Sequence, residues 1–260
     1  MNIQQYYEQS AMASLNGSLV AFIPTIVLVV FVFVTHTYHL LLLLLPFLIY
    51  SFLCYQKFLL NQRRSKAVKL SSLSESQKPP NLFFEKQLLI TFLPAPSLRL
   101  LLFATNGIKI GEMRDLCFSP VRWFLPYFID RLFAKKFGLY DQDGKLINVY
   151  HFSHDRIEVL NNTGEVISKV VKMKNKEKIT YTLENKSITI GKNILQTDYD
   201  FEDQDGNEIA KITTGWMPIE WGERFVNTNT PILELENHCT RSDTIQLFSL
   251  LISIYTYYNH

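Results

Sequence analysis

The chain has 260 residues, 26 Lys and Arg against 24 Asp and Glu, and a formal net charge of +2. So small an excess does not suggest a nucleic-acid partner, whose phosphate backbone calls for a strongly basic protein. Hydrophobic residues make up 47% of the chain, and they are unevenly spread: two uncharged apolar runs stand near the amino terminus, ahead of a polar, strand-rich region.

Residues 1–16 read as a short amino-terminal segment. Gly17 to Val34 then carries no charge and is dominated by Val, Ile, Leu and Phe. At about 1.5 Å per helical residue it nearly crosses a hydrocarbon core of roughly 30 Å. Pro24 lies inside it, which a membrane helix tolerates because neighbouring groups re-satisfy the freed carbonyl. The second run, over 40–58, opens with Leu40 to Leu45 in succession. Only Thr35 to His39 separates the two, enough for a tight hairpin, so 17–60 is expected to form a transmembrane pair of helices. A cleaved signal peptide fits less well, since no Lys or Arg precedes the first run and no small-x-small site stands before the second.

Lys57, Arg63, Arg64, Lys66 and Lys69 follow the second run, whereas the connecting loop is uncharged. The positive-inside rule places this flank, both termini and everything downstream on the cytoplasmic side of the cell membrane, as a multi-pass protein. The same residues suit anionic headgroups. Cys54, Cys117 and Cys239 form no CxxC or ligand-like spacing, consistent with a reducing compartment. Residues 61–80 read as a basic flank and flexible linker, and a single domain occupies 81–260.

Three segments of that domain share a pattern: DQDGKLI from Asp141, NNTGEVI from Asn161 and DQDGNEI from Asp203. Each sets an Asx/Gly cluster before a β-prone stretch, as at a hairpin corner where glycine supplies positive φ. An antiparallel sheet or barrel follows. An EF-hand reading of DxDG fails on its ligands, because neither loop places the bidentate Glu at the twelfth position.

Lys172, Lys174, Lys176 and Lys178 alternate along the chain, so a strand would project all four from one face, either as a solvated hairpin whose lysines discourage edge pairing or as a comb suited to anionic lipid. Arg122, Trp123, Phe124, Tyr127 and Phe128, after the Ser119-Pro120 helix start, combine aromatic and basic character in the manner of a headgroup-level helix. His151, His154 and Asp155 are the residues a metal-dependent hydrolase would use, but an HxxHD spacing on a strand splits the imidazoles between faces. No GxSxG, HExxH, Walker A or dinucleotide fingerprint is present. Trp216 and Trp221, in TTGWMPIEWGERF, are expected to pack in an ordered turn.

After Ser242 and Asp243, an N-cap region, the chain closes with TIQLFSLLISIYTYY. This run is short for a span, and a helix apolar on nearly every side must be surrounded by protein or lipid. With the DQDGNEIAKI strand-turn-strand signature ahead of it, the region from about Ser97 to His260 resembles the tubby C-terminal-like superfamily, which includes tubby, plant LURP-one-related proteins and phospholipid scramblases. The resemblance implies a β-barrel closed around a central hydrophobic helix. It also implies lipid binding in some members and lipid scrambling in others.

The sequence therefore predicts a two-helix transmembrane hairpin followed by a mainly antiparallel β-barrel closed around its carboxy-terminal helix. The expected function is non-enzymatic, with no cofactor: binding of anionic phospholipid headgroups or a membrane-associated partner at the cytoplasmic face. A lipid scramblase or transporter is the alternative from another class, although the two runs offer few polar residues for a path. A metal-dependent hydrolase is the third.

Overall fold

The computed structural model describes residues 1–68, 80–95, 97–117, 135–153, 156–174, 179–182, 187–192, 198–215 and 217–258. The chain divides into two compact units, Asn2–Leu70 and Ser71–His260, with Met1 grouped with the second.

The first unit is a helical hairpin. Helix α1 spans Ile3–Thr35, beginning at Ile3 where the sequence placed a separate segment up to residue 16. The reason is a reciprocal cap: the Gln5 N–H donates to Asn2 Oδ1 at 2.9 Å while the Asn2 N–H donates to Gln5 Oε1 at 3.0 Å, satisfying two orphan donors. Pro24 is accommodated without ending the helix, and His36, at φ 54°, terminates it. A 3₁₀ turn over Tyr38–Leu43 leads into α2, Leu44–Ala67. Positions 61–67 of the predicted basic flank therefore continue α2.

The buried positions of α1 are Ile3, Tyr7, Ser10, Ala11, Ser14, Ser18, Ala21, Thr25 and Val32, all of them small from Ser10 to Thr25. Ser18 and Ser51 share a hydroxyl–hydroxyl hydrogen bond of 2.9 Å, and Ser51 Oγ also reaches the Ser18 carbonyl at 3.1 Å. Ser14 and Thr25 return their hydroxyls to the Ser10 and Ala21 carbonyls. Small residues let the two backbones approach, and helices packed in this way need no large apolar filling between them. Most of the large side chains face outward instead, among them Leu19, Ile23, Val27, Phe33, Leu42, Ile49 and Phe52. Helix α1 and the helical stretch Tyr38–Ala67 are each long and apolar enough to cross a membrane.

The second unit is a closed antiparallel barrel of twelve strands in chain order. They are β1 (Gln87–Phe92), β2 (Arg99–Ala104), β3 (Lys109–Asp115), β4 (Lys135–Asp141), β5 (Leu146–Ser153), β6 (Arg156–Asn161), β7 (Val166–Lys174), β8 (Ile179–Thr182), β9 (Ser187–Lys192), β10 (Tyr199–Glu202), β11 (Glu208–Thr213) and β12 (Ile232–Leu235). Closure is made by β1 on β12, with Gln87 opposite Glu234, Leu88 opposite Leu233 and Leu89 opposite Ile232.

The three Asx/Gly segments are hairpin corners of one design. Asp141 Oδ1 accepts from the N–H groups of Asp143 and Lys145, at 3.0 and 2.8 Å. Asn161 does the same for Thr163 and Glu165 at 3.0 and 2.9 Å, and Asp203 for Asp205 and Asn207 at 2.8 and 2.9 Å. Gly144, Gly164 and Gly206 supply φ values of 78°, 90° and 81°, which a Cβ would strain. The ladder shifts register just before each corner, so the turn chemistry also fixes which residues face inward.

Helix α3, Arg241–Tyr258, starts one residue after Thr240, earlier than the Ser242–Asp243 start read from the sequence. Thr240 and Asp243 cap each other reciprocally, the Asp243 N–H reaching Thr240 Oγ1 at 3.3 Å and the Thr240 N–H reaching Asp243 Oδ2 at 3.0 Å. Leu247, Phe248, Leu250, Leu251 and Ile252 of α3 belong to the same buried cluster as Leu100, Leu102, Phe137, Leu139, Val159, Phe201 and Leu233 of the strands. Its polar tethers are Tyr150 OH, which donates to the Ile245 carbonyl at 3.0 Å, and a 3.0 Å bond between Tyr181 OH and Ser253 Oγ. Burial pushes the Tyr150 phenol far above its ordinary range, leaving it a permanent donor.

Candidate functional site at one rim of the barrel

In a meander barrel every strand reverses the last, so odd-numbered strands end at one rim and even-numbered strands at the other. The rim joining β4 to β5, β6 to β7 and β10 to β11 holds the Asx/Gly corners. Those turns carry Asp141, Asp143, Glu165, Asp203 and Asp205, against Lys145 among them and Lys109 and Lys86, which stand at the starts of β3 and β1 on the same rim.

The opposite rim has the reverse sign. Arg99 opens β2, Arg114 is near the end of β3, Lys135 and Lys136 open β4, and Arg156 opens β6. Lys172 and Lys174 close β7 and Lys192 closes β9. Among the described residues the carboxylates at this rim are Asp115, Asp200 and Asp198, the last buried just before β10, where it accepts from the Thr214 N–H. Asp115 Oδ1 is turned to the Cys117 N–H at 2.8 Å, and Asp200 lies 3.5 Å from Lys211 Nζ. Basic residues scattered over about ninety positions thus converge on one ring, while the net charge of the chain stays small.

The lysine comb falls partly on this ring. Lys172 is half-buried and stands opposite Tyr181 in the ladder, on alternation with the buried Val170, whereas Met173 between Lys172 and Lys174 is exposed. Lys172 therefore belongs to the inward-facing set at the barrel mouth. Lys174 ends the strand opposite Ile179, and Lys176 and Lys178 lie outside the described residues. Lys135 has the same alternation as the buried Phe137 and is also half-buried. Phe152, opposite Lys135, meets Phe137 edge-on with ring centroids 5.5 Å apart, and Phe92 meets Tyr255 of α3 at 4.8 Å. The mouth is therefore aromatic and basic together.

Arg114, Lys136 and Arg156 take the outer wall and are exposed. Between Arg99 and Lys109 on that wall sits Glu112, which receives Arg99 Nε at 2.8 Å and Lys109 Nζ at 3.0 Å. Burial alone would raise its carboxyl, but the hydrogen bonds and charges of the two cations outweigh that and hold it below its ordinary 4.5. Arg114 has a different partner: its guanidinium carbon lies 4.0 Å from the centroid of the Tyr140 ring.

The other predicted positions separate from this ring. Arg63, Arg64 and Lys66 lie in the last turns of α2, where positive charge complements the helix carboxy terminus; Arg63 and Lys66 are exposed. Lys69 lies outside the described residues, as do Arg122, Trp123, Phe124, Tyr127 and Phe128, on the connection between β3 and β4. His151 is on β5 with Nδ1 3.8 Å from Glu158 Oε2, and His154 and Asp155 are outside the described residues. Among those described, no three His, Cys, Asp or Glu side chains gather in a way that could hold a metal. Trp216 is likewise undescribed, and Trp221 is half-buried on a single 3₁₀ turn, Ile219–Trp221.

No protein-family model, curated protein or solved structure matches the chain. The functional reading accordingly rests on the residues themselves.

Proposed function

We propose that this protein is a membrane-anchored, non-enzymatic β-barrel module whose basic rim engages anionic lipid, or a membrane-associated partner, at the cytoplasmic face. In this reading the hairpin spans the bilayer, both termini are cytoplasmic, and α3 closes the barrel from within, as the resemblance to the tubby-like superfamily implies. A twelve-stranded barrel is wider than the eight-stranded kind that its own side chains fill, and the buried, uncharged stretch of α3 from Leu247 to Ile254 supplies the missing volume.

The observation that carries the reading is the opposite charge of the two rims. A hairpin anchor confines the domain to a layer near the leaflet, where each Lys or Arg close to an anionic surface contributes about 1 kcal/mol. A rim bearing several of them then favours one orientation, and the carboxylate-rich rim disfavours the other. Arg63, Arg64, Lys66 and Lys69 add to the same attraction beside the anchor.

The test is co-flotation of residues 81–260, first confirmed as cooperatively folded, with neutral and anionic vesicles at low and high salt. Salt-sensitive flotation with anionic vesicles alone is expected. Replacing Lys172, Lys174, Lys176 and Lys178 by Gln is expected to weaken it without unfolding the domain. Absence of flotation from a folded domain would reject lipid engagement and direct attention to protein partners.

A further inference from the structure

The geometry points to a phosphate-binding site on the outer wall of the barrel across β2, β3 and β4, organised by Arg114. This deepens the anionic-lipid reading and rests on it, by naming atoms that select phosphate over negative charge in general.

Three strands build the site. Arg114 lies directly opposite Arg99 on one side and Gly138 on the other, and Lys136 is two residues from Gly138, on the same outward face of β4. Two arginines facing each other across a ladder are unfavourable unless something separates their charge. Arg99 has Glu112. Among the described residues no carboxylate pairs with Arg114, which lies against the face of Tyr140 instead.

That stacking depends on Gly138. A Cβ there would lie 2.8 Å from Tyr140 Cε2, closer than real contacts allow, and 3.2 Å from its Cζ. The missing side chain lets the tyrosine ring lie across β4, and the guanidinium carbon rests 4.0 Å from the ring centroid. An arginine fixed in this way loses little side-chain freedom on binding, and its planar edge of N–H donors matches two oxygens of a phosphate. Lys136, exposed beside it, adds a point charge. Asp115 does not compete, since it takes the other face of β3 and caps the Cys117 N–H.

The ligand class is a phosphate monoester, presented either by a lipid headgroup or by a soluble compound. The experiment uses the full chain in neutral detergent micelles, titrated calorimetrically with sn-glycerol 3-phosphate, then with micelles doped with phosphatidic acid or phosphatidylserine. Arg114→Lys, which keeps the charge and loses the planar fork, is expected to weaken phosphate binding about tenfold or more. Gly138→Ala, which removes no charge and displaces Tyr140, is expected to weaken it in the same direction. Lys145→Gln, at the opposite rim, is expected to change it by less than about twofold. Equal affinity per phosphate for the free ester and for phosphatidic acid assigns a soluble ligand, and much tighter binding to phosphatidic acid assigns a headgroup.

Phosphate binding unchanged in both Arg114→Lys and Gly138→Ala, with thermal unfolding like that of the parent, would overturn the site. So would phosphatidylserine binding as tightly as phosphatidic acid. In either case binding to anionic micelles would leave the rim reading standing, whereas indifference to both lipids would end the site and the reading together.

Discussion

The hairpin and the barrel bury opposite kinds of residue. In the hairpin most hidden positions are small, Ser10, Ala11, Ser14, Ser18, Ala21, Thr25, Ser51 and Ser65, with the larger Ile3, Tyr7 and Val32 buried nearer the ends of α1, and the outward ones are mostly Leu, Ile, Val and Phe. Inside the barrel the hidden positions are Leu, Ile, Phe and Tyr, while Lys, Arg, Asp and Glu occupy the rims and outer wall. Water drives the second arrangement, because burying a Leu or Phe side chain stabilises by about 1.5–3 kcal/mol. It cannot maintain the first, where the largest apolar surface is left outside. A surface of that kind suits a lipid environment, where close backbone packing and shared hydroxyls hold helices together.

Aspartate substitutions break this contrast most sharply. Leu250→Asp places an unpaired carboxylate among α3 and the strands, and is expected to abolish cooperative unfolding of the barrel, a loss above about 4 kcal/mol. Ile23→Asp, on the exposed face of α1, is expected to leave the barrel's thermal transition unchanged. Its effect falls on membrane integration, at a cost of about 2.5–3.5 kcal/mol, read as carbonate-extractable protein.

Glu112→Gln is next in size. The carboxyl is held below 4.5 in the folded chain, so the stability it contributes is present above that pH and lost as pH falls through the lower folded value. The substitution is expected to cost about 1.5–3 kcal/mol at neutral pH, and the gap to the parent should close on acidification. A pH-independent gap in denaturant midpoints would show that Arg99 and Lys109 do not hold the charge. Tyr150→Phe, which removes the phenol's hydrogen bond to the Ile245 carbonyl, is expected to cost about 0.5–1.5 kcal/mol.

Ser51→Ala sharpens the comparison from the hairpin side. It removes both hydrogen bonds to Ser18, but interhelical bonds in membranes average only about 0.6 kcal/mol. A small shift in hairpin stability in detergent, with no change in the barrel, is the expected result.

Much of this architecture was legible because the signals are local. Uncharged runs mark α1 and α2, and Asp141, Asn161 and Asp203 mark three corners, since an Asx side chain and a following glycine act within five residues. The alternation of lysines was legible too, but not which side of the barrel it faces. Parity in β7 is set by Val170 and by the register shift after Val159, neither of which the lysines reveal. The start of α1 was missed because polar Asn2 to Gln9 carry no apolar run, although Asn2 and Gln5 form a recognisable capping box. The polarised rims and the Arg114, Gly138 and Tyr140 group had no sequence signature at all. Strand pairing alone brings those residues together.

Whether the hairpin crosses the membrane and leaves the barrel in the cytoplasm is tested most directly by thiol labelling of the full chain in intact cells, with Cys54 and Cys239 replaced by Ser. Cys117 is exposed in the barrel unit, and His39→Cys places a thiol in the short connection after α1, where His39 is exposed. A membrane-impermeant maleimide is predicted to label the thiol introduced at position 39 in intact cells and to reach Cys117 only after permeabilisation. Labelling of Cys117 from outside, with the introduced thiol protected, would place the barrel on the other face and contradict this topology.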